Sequence, residues 1–285
     1  MTSDLFTAEA FATLEQAYPN TPCRIGHGLV GHPLLELDRL AELAGALPAD
    51  SVEHNLGAMP IGIDPQDIPA SQLGIVETIR TIDESKSWAV LKRIEQDPRY
   101  AELLASVLAQ LEGVILPRTG PMLELEGFVF ISSPGSITPF HFDPEHNVLL
   151  QLRGSKTMTV FPAHDDRLAD PRIHEAFHLG QHHRNLPWQE EFGAAGQAMT
   201  IRPGQALYVP VKAPHWVQNG PEVSISLSVT WRSEWSFAEA DARAFNHMLR
   251  GLGLNPASPA PYPHRNLAKS LGHRAIRKLR GGLGR

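Results

Sequence analysis

The chain has a single cysteine, Cys23, among its 285 residues. One thiol can form neither an intrachain disulfide nor a Cys-rich zinc site, and such scarcity predicts a reducing, cytoplasmic setting. Positive charge is not in excess: 25 Lys and Arg stand against 31 Asp and Glu, a formal net charge of -6. Nothing in that balance makes a global electrostatic case for nucleic acid. No run approaches the ~18 uninterrupted apolar residues of a membrane span. The first residues carry Asp4, Glu9 and Glu15 and lack the basic and apolar regions of a secretion signal. Internal repeats and low-complexity segments are missing too. The glycine-rich stretch Gly26–Gly31 lacks the lysine and the strand–loop–helix context of a phosphate loop. What is left is an ordinary globular composition, 42% apolar and 20% charged.

Residues 7–17 have helical spacing (Phe11, Leu14, Ala17) with Thr7 as N-cap, and 34–46 repeat it until Pro48. Val52–Leu56 predicts a strand, and 57–75, rich in Gly, Pro and Asp, a long surface connection. Further helices are predicted at 75–82 and 101–111. Residues 1–120 thus read as a mixed α/β region packed on the rest of the chain. From 121 to 235 the texture becomes short β-branched and aromatic runs that alternate apolar and polar, as half-buried antiparallel strands do. That spacing predicts a sandwich or barrel. Within it, 163–196 reads as a polar, His- and Gly-rich insertion.

Residues 236–285 return to helices. Between them lies a linker with Pro256, Pro259, Pro261 and Pro263. From His264 onward there are seven Lys or Arg and no acid, and Leu267, Leu271, Ala275, Leu279 and Leu283 recur at every fourth position. This predicts an amphipathic helix that packs on the core or on a second subunit.

The chemistry concentrates in Ser136-Ile137-Thr138-Pro139-Phe140-His141-Phe142-Asp143. His-x-Asp on a strand sends both side chains to one face, so His141 and Asp143 can reach one ion. A distant strand must add a third ligand, and His215 is the candidate. Two neutral imidazoles and one carboxylate leave three octahedral positions open, which suits Fe(II) that must take a bidentate co-substrate and O2 together.

The spacings have a grammar of their own. Gly135, five residues, His141, Phe142, Asp143, three residues, Asn147, six residues, Gly154 form the first motif. Gly204, five residues, Pro210, four residues, His215, three residues, Asn219 form the second. The pair resembles the two motifs of the cupin superfamily. It departs from the usual pattern with Asp143 for a second histidine, Asn147 for a glutamate, and Lys212 for a glycine. The segment 138–162 resembles the JmjC-like, cupin-like Fe(II)/2-oxoglutarate oxygenases, nearest in pattern to the asparaginyl hydroxylase that acts on hypoxia-inducible factor.

The resemblance implies a mainly β fold: a double-stranded β-helix, or jelly roll, over 121–235, with the N-terminal α/β region and C-terminal helices added. It implies that Fe(II) binds His141, Asp143 and His215, and that 2-oxoglutarate is the co-substrate. Lys156 and Thr138 would bind the distal carboxylate, Asn147 would lie near the proximal one, and Ser228 is the nearest counterpart of a polar amide on the last strand. A lysine suits this task as a compact cation able to neutralise a carboxylate in a partly dry barrel. The expected reaction is hydroxylation of a protein side chain or small molecule with release of succinate and CO2, in a homodimer formed through the C-terminal helices. The alternatives are a cupin-type dioxygenase or isomerase without 2-oxoglutarate turnover, and a non-catalytic binding module.

Other histidines invite their own readings. His174, His178, His182 and His183 read as surface histidines of a polar loop, with a second metal site as the sharper alternative. His146 reads as a turn residue beside the site. Trp216, following His215 on a strand, is expected to face away into packing.

Overall fold

The computed structural model describes residues 4–57, 59–68 and 71–282. In chain order the first elements are α1 (Ala8–Ala17), β1 (Cys23–Gly26), α2 (Leu37–Ala46), β2 (Val52–Leu56), α3 (Ile75–Arg80), β3 (Ser87–Lys92) and α4 (Pro98–Thr119). Next come β4 (Leu123–Ser132), β5 (Ile137–His141), β6 (His146–Arg153), β7 (Lys156–Val160) and α5 (Pro171–Phe177). The chain closes with β8 (Gln197–Ile201), β9 (Gln205–Val209), β10 (His215–Asn219), β11 (Ser224–Arg232), α6 (Glu234–Gly251) and α7 (Leu267–Gly282).

The local chemistry accounts for the helix starts. Thr7 accepts a hydrogen bond from the Ala10 amide, Asp97 accepts one from Arg99 ahead of Pro98, and Ser233 with Ser236 forms a reciprocal capping box.

The strands form two antiparallel sheets. The larger has the order β1-β9-β6-β11-β4-β3-β2 and the smaller β5-β10-β7-β8. This is the expected jelly-roll arrangement with added helices. One face of the large sheet is apolar (Ala89, Leu91, Val129, Ile131, Val148, Leu150, Leu227, Val229) and is buried in one cluster with residues of α1, α2 and α4. Fully burying each such side chain is worth about 1.5–3 kcal/mol. The other face meets the small sheet through Leu149, Leu207, Val209, Met158, Val160, Ile201 and Val217.

α4 is long and apolar enough to cross a membrane by length and composition alone. Its Leu103, Leu104, Val107, Leu108 and Leu111 are instead buried in the main core, which is the ordinary cause of such a composition.

Several expectations change. β3 has no counterpart in the sequence reading, because its apolar run is short and lies close to helical signals. It pairs with β2 and β4, and β1 pairs with β9, so the large sheet runs across residue 120. The 57–75 connection is more than surface, although residues 58, 69 and 70 lie outside the described set. Its Gly57 carbonyl accepts from Ile137 (3.1 Å) and its Ile61 carbonyl from Phe140 (2.7 Å), which covers part of the free edge of β5. The insertion 163–196 contains α5 and shares an aromatic cluster of Phe140, Phe142, Phe161, Leu186 and Phe192 with the outer face of the small sheet; Trp216 packs there as expected. On α7 the leucine stripe is not packed on the core: Leu267, Leu271 and Leu279 are 58%, 58% and 67% exposed. Leu283 lies outside the described residues.

Only Gly154 and Ser155 separate β6 of the large sheet from β7 of the small one. Gly154 has φ +63°, and a Cβ there would come within 2.3 Å of the Val223 carbonyl oxygen. Gly154→Ala is therefore expected to destabilise the protein by about 2–4 kcal/mol, read as a lower urea midpoint with unchanged slope.

Candidate metal centre

β5 and β10 are antiparallel neighbours in the register that sets His215 opposite His141. Their ring centroids are 4.2 Å apart. Asp143 lies two residues beyond His141, on the same side, just past the end of β5. Its Oδ2 lies 4.0 Å from His141 Nε2 and 3.7 Å from His215 Nε2. Among the described residues this is the group of three or more His, Cys, Asp or Glu whose donor atoms lie within 4.8 Å of one another.

The backbone sets the tautomers. His141 Nδ1 lies 2.7 Å from the Pro139 carbonyl, and His215 Nδ1 lies 2.9 Å from the Ala213 carbonyl. A carbonyl only accepts, so each Nδ1 carries the proton and each Nε2 keeps its lone pair for a metal. His215 is held neutral: burial and the adjacent His141 push its pKa down to about 4.

Asp143 is held ionised. Burial alone would raise its pKa, but the Arg184 guanidinium and the two imidazoles bring it down to about 2. Arg184 donates to Oδ1 at 2.8 Å, leaving Oδ2 as the oxygen that faces both histidines. Arg184 also reaches Glu145 at 3.2 Å, whose pKa burial pushes up to about 7.

A narrow cavity adjoins the triad, lined also by Phe130, Thr138, Asn147, Leu149, Lys156, Met158 and Val217. Lys156 is 4% exposed, and burial lowers its pKa to about 7. Among the described residues its ammonium has no hydrogen-bond or ion-pair partner; it faces the Phe130 ring, 5.8 Å from the centroid. Thr138 and Lys156 lie on strands that both pair with β10, across from Val217 and Asn219. A larger cavity, about 670 Å³, lies elsewhere, between α4, α6 and α7.

The family described as "Cupin-like domain" matches residues 81–237, more than half of the chain. The protein is a member of the cupin-like domain family. The chain is similar to "Jumonji C domain-containing protein 5" of Drosophila melanogaster, at 29% identity over 141 residues, 44% of this chain and 34% of that one. It also resembles "Lysine-specific demethylase 8" of Xenopus tropicalis, at 30% identity over 102 residues, 34% of this chain and 23% of that one. The chain thus spans about a third or less of these relatives' length. Among solved structures, Escherichia coli YcfD, a ribosomal oxygenase, superposes with a TM-score of 0.53 at 18% identity, covering 95% of this chain and 68% of that one. A YcfD complex with cobalt and 2-oxoglutarate superposes with a TM-score of 0.51 at 17% identity, a likeness of fold.

In this cupin-like chain the seven candidate site residues fall together, with one displaced. His141, Asp143, His215, Lys156, Thr138 and Asn147 line the cavity, whereas Ser228 stands behind it and donates to Asn147 Oδ1 at 2.8 Å. Ser228 therefore orients Asn147, whose amide nitrogen is left as the donor. His146 is not a turn residue. It opens β6, is fully buried, stacks on Trp231 at 5.3 Å and contacts Tyr208 and Ser233 hydroxyls.

The histidine cluster is a surface loop only in part: His182 and His183 lie in the irregular chain that follows α5. His174 lies on α5, 2% exposed, with its ring edge-on to Phe142 at 4.3 Å, so it supports the residue between the candidate ligands His141 and Asp143. His183 alone of the four is plainly exposed. Arg184 was invisible in the sequence. Forty-one residues separate it from Asp143, and only the pairing of 184–186 with the edge of β5 (Phe142 to Arg184 carbonyl, Leu186 to Phe140 carbonyl) brings it there.

Titration with Co(II), followed by calorimetry and visible absorption, is expected to show one site. Asp143→Ala should reduce that affinity by more than the ~10–100-fold that loss of an outer-shell partner costs.

Proposed function

We propose that the protein is an Fe(II)- and 2-oxoglutarate-dependent oxygenase that hydroxylates a C–H bond of a protein side chain or small molecule. The observation that carries this reading is Lys156: a buried cation without a counter-ion among the described residues, in the same cavity as an open two-histidine, one-carboxylate face. A buried charge is costly unless it is paired, so the cavity suits an anion. A dicarboxylate answers both ends of it, with one carboxylate for Lys156 and the other for the metal face. The donor set fits the metal as well, since neutral imidazoles and an ionised carboxylate suit Fe(II) with open positions.

Bound there, iron and 2-oxoglutarate would supply an oxidative decarboxylation that consumes O2, releases succinate and CO2, and delivers one oxygen atom to the substrate. The chain's own residues perform the rest. Lys156, with Thr138, holds the distal carboxylate. Asn147, oriented by Ser228, offers a donor beside the metal face. Arg184 keeps Asp143 ionised and turned so that Oδ2 faces the histidines. Phe130, Leu149, Met158 and Val217 keep the cavity apolar around these groups and restrict water.

Purified protein supplied with Fe(II), ascorbate and 2-oxoglutarate should release succinate. A failure to bind 2-oxoglutarate in the iron-loaded state would remove this reading. Lys156→Met separates function from stability. Loss of the buried charge partner should weaken 2-oxoglutarate binding at least about 30-fold, ~2 kcal/mol or more. The same change should stabilise the ligand-free protein. Between about pH 7 and the ordinary lysine value of 10.5, the unfolded chain holds a proton that folded Lys156 has lost. Stability therefore rises with pH across that window and is least favoured by this group below it. Lys156→Met should abolish that slope and, at pH 7, raise the thermal midpoint by several degrees, ~1–3 kcal/mol.

A homodimer through the C-terminal helices is the proposed assembly, supported by the exposed Leu267, Leu271 and Leu279 stripe on α7. Sedimentation should give twice the chain mass, and Leu271→Glu should return it to the monomer value.

A further inference from the structure

Lys212 occupies a position that backbone geometry reserves for glycine. Its φ is +61°, in a turn closed by the Ala213 amide donating to the Pro210 carbonyl at 3.1 Å. A side chain at such a φ is strained, so glycine would serve the turn better. The lysine nevertheless sends its ammonium into the interior, onto Glu239 of α6. Arg243, one helical turn further, holds the other oxygen of the same carboxylate. The three side chains are 3%, 2% and 2% exposed. Burial by itself would keep Glu239 protonated, but Arg243 and Lys212 hold its pKa well below the usual carboxylate range.

The backbone of the same residue faces the metal centre. The Lys212 amide donates to the Asp143 carbonyl at 2.7 Å. The next residue, Ala213, supplies the carbonyl that takes the Nδ1 proton of His215 at 2.9 Å. One turn therefore touches two of the three candidate ligands through its main chain and α6 through its side chain. A buried ion group adds little net stability over an apolar replacement, whereas its geometry is demanding. Its value here is directional.

Resting on the metal-centre reading, we propose that Lys212, Glu239 and Arg243 form a positioning lock: α6 fixes the 210–215 turn and thereby sets Asp143 and His215 for metal binding. The three residues do not touch the metal or a substrate; they act through the ligands.

The test is Co(II) affinity, by calorimetry and visible absorption, beside the thermal midpoint of the metal-free protein, for Lys212→Gly, Glu239→Gln and the double variant. Glycine suits the turn's φ, so Lys212→Gly keeps the fold while cutting the tie to α6. Affinity is expected to fall ~10–100-fold in each single variant, as for other outer-shell partners, with no additive loss in the double variant. Lys212→Arg, which keeps the charge, should recover part of the loss. Affinity within twofold of native in the folded single variants, with only a lower midpoint, would overturn the proposal and leave a structural bridge. If Lys212→Gly does not fold, Glu239→Gln decides by the same criterion. A native protein that binds no Co(II) removes the metal centre itself, a separate and distinguishable outcome that takes the lock with it.

Discussion

The site depends on one register, that of β10 against β5, which sets His215 opposite His141. Directly opposed residues of antiparallel strands share a face with Cβ atoms ~4.5–5.5 Å apart, close enough for two imidazoles to meet one ion. A slip of β5 by one residue would turn His141 outward, toward the aromatic layer of Phe140, Phe142 and Trp216, and leave His215 facing inward alone. β5 is an edge strand of the small sheet, and edges are where register is least secure. Here the free edge is covered by two segments, Gly57 and Ile61 along one part and 184–186 along another. Segments without ligands of their own thus hold the ligand strand in place.

Charge in the site is set by the same burial. Asp143 is paired with the Arg184 guanidinium, so its negative charge is already met. Lys156 has no such partner among the described residues, and its surroundings are Phe130, Leu149, Met158 and Val217. The cavity is therefore balanced at the metal face and unbalanced at its far end. An unbalanced buried cation is unfavourable for the ligand-free fold, which is the kind of cost that binding sites retain. Behind the site, the Lys212–Glu239–Arg243 group is the reverse case: buried charges with partners, on the far side of the ligand turn.

Much of this was legible along the chain. Helix caps at Thr7, alternation along β4 and β11, and paired motif spacings around His141 and His215 are local signals, and each corresponds to an element or a neighbour in space. Other features have no local signal. β3 is a six-residue run that only its pairing between β2 and β4 defines. His146, which reads as a turn residue from sequence, is enclosed by Trp231 and Tyr208 from other strands. His174 looked polar by composition, yet α5 buries it against Phe142.

The sequence by itself determined the class of fold and pointed to the candidate ligands, because strand alternation and the His-x-Asp spacing act over two to ten residues and a second motif of matching spacing marks His215. The resemblance of 138–162 to the cupin-like oxygenases also named Lys156. Tertiary structure decided what those residues are worth. Burial lowered the Lys156 pKa and left it unpaired among the described residues, Arg184 came from forty-one residues away to claim one oxygen of Asp143, and Glu239 of α6 captured a lysine at a glycine position. These effects arise from desolvation and from contacts between segments distant in sequence. Neither quantity exists until the two sheets have closed on each other.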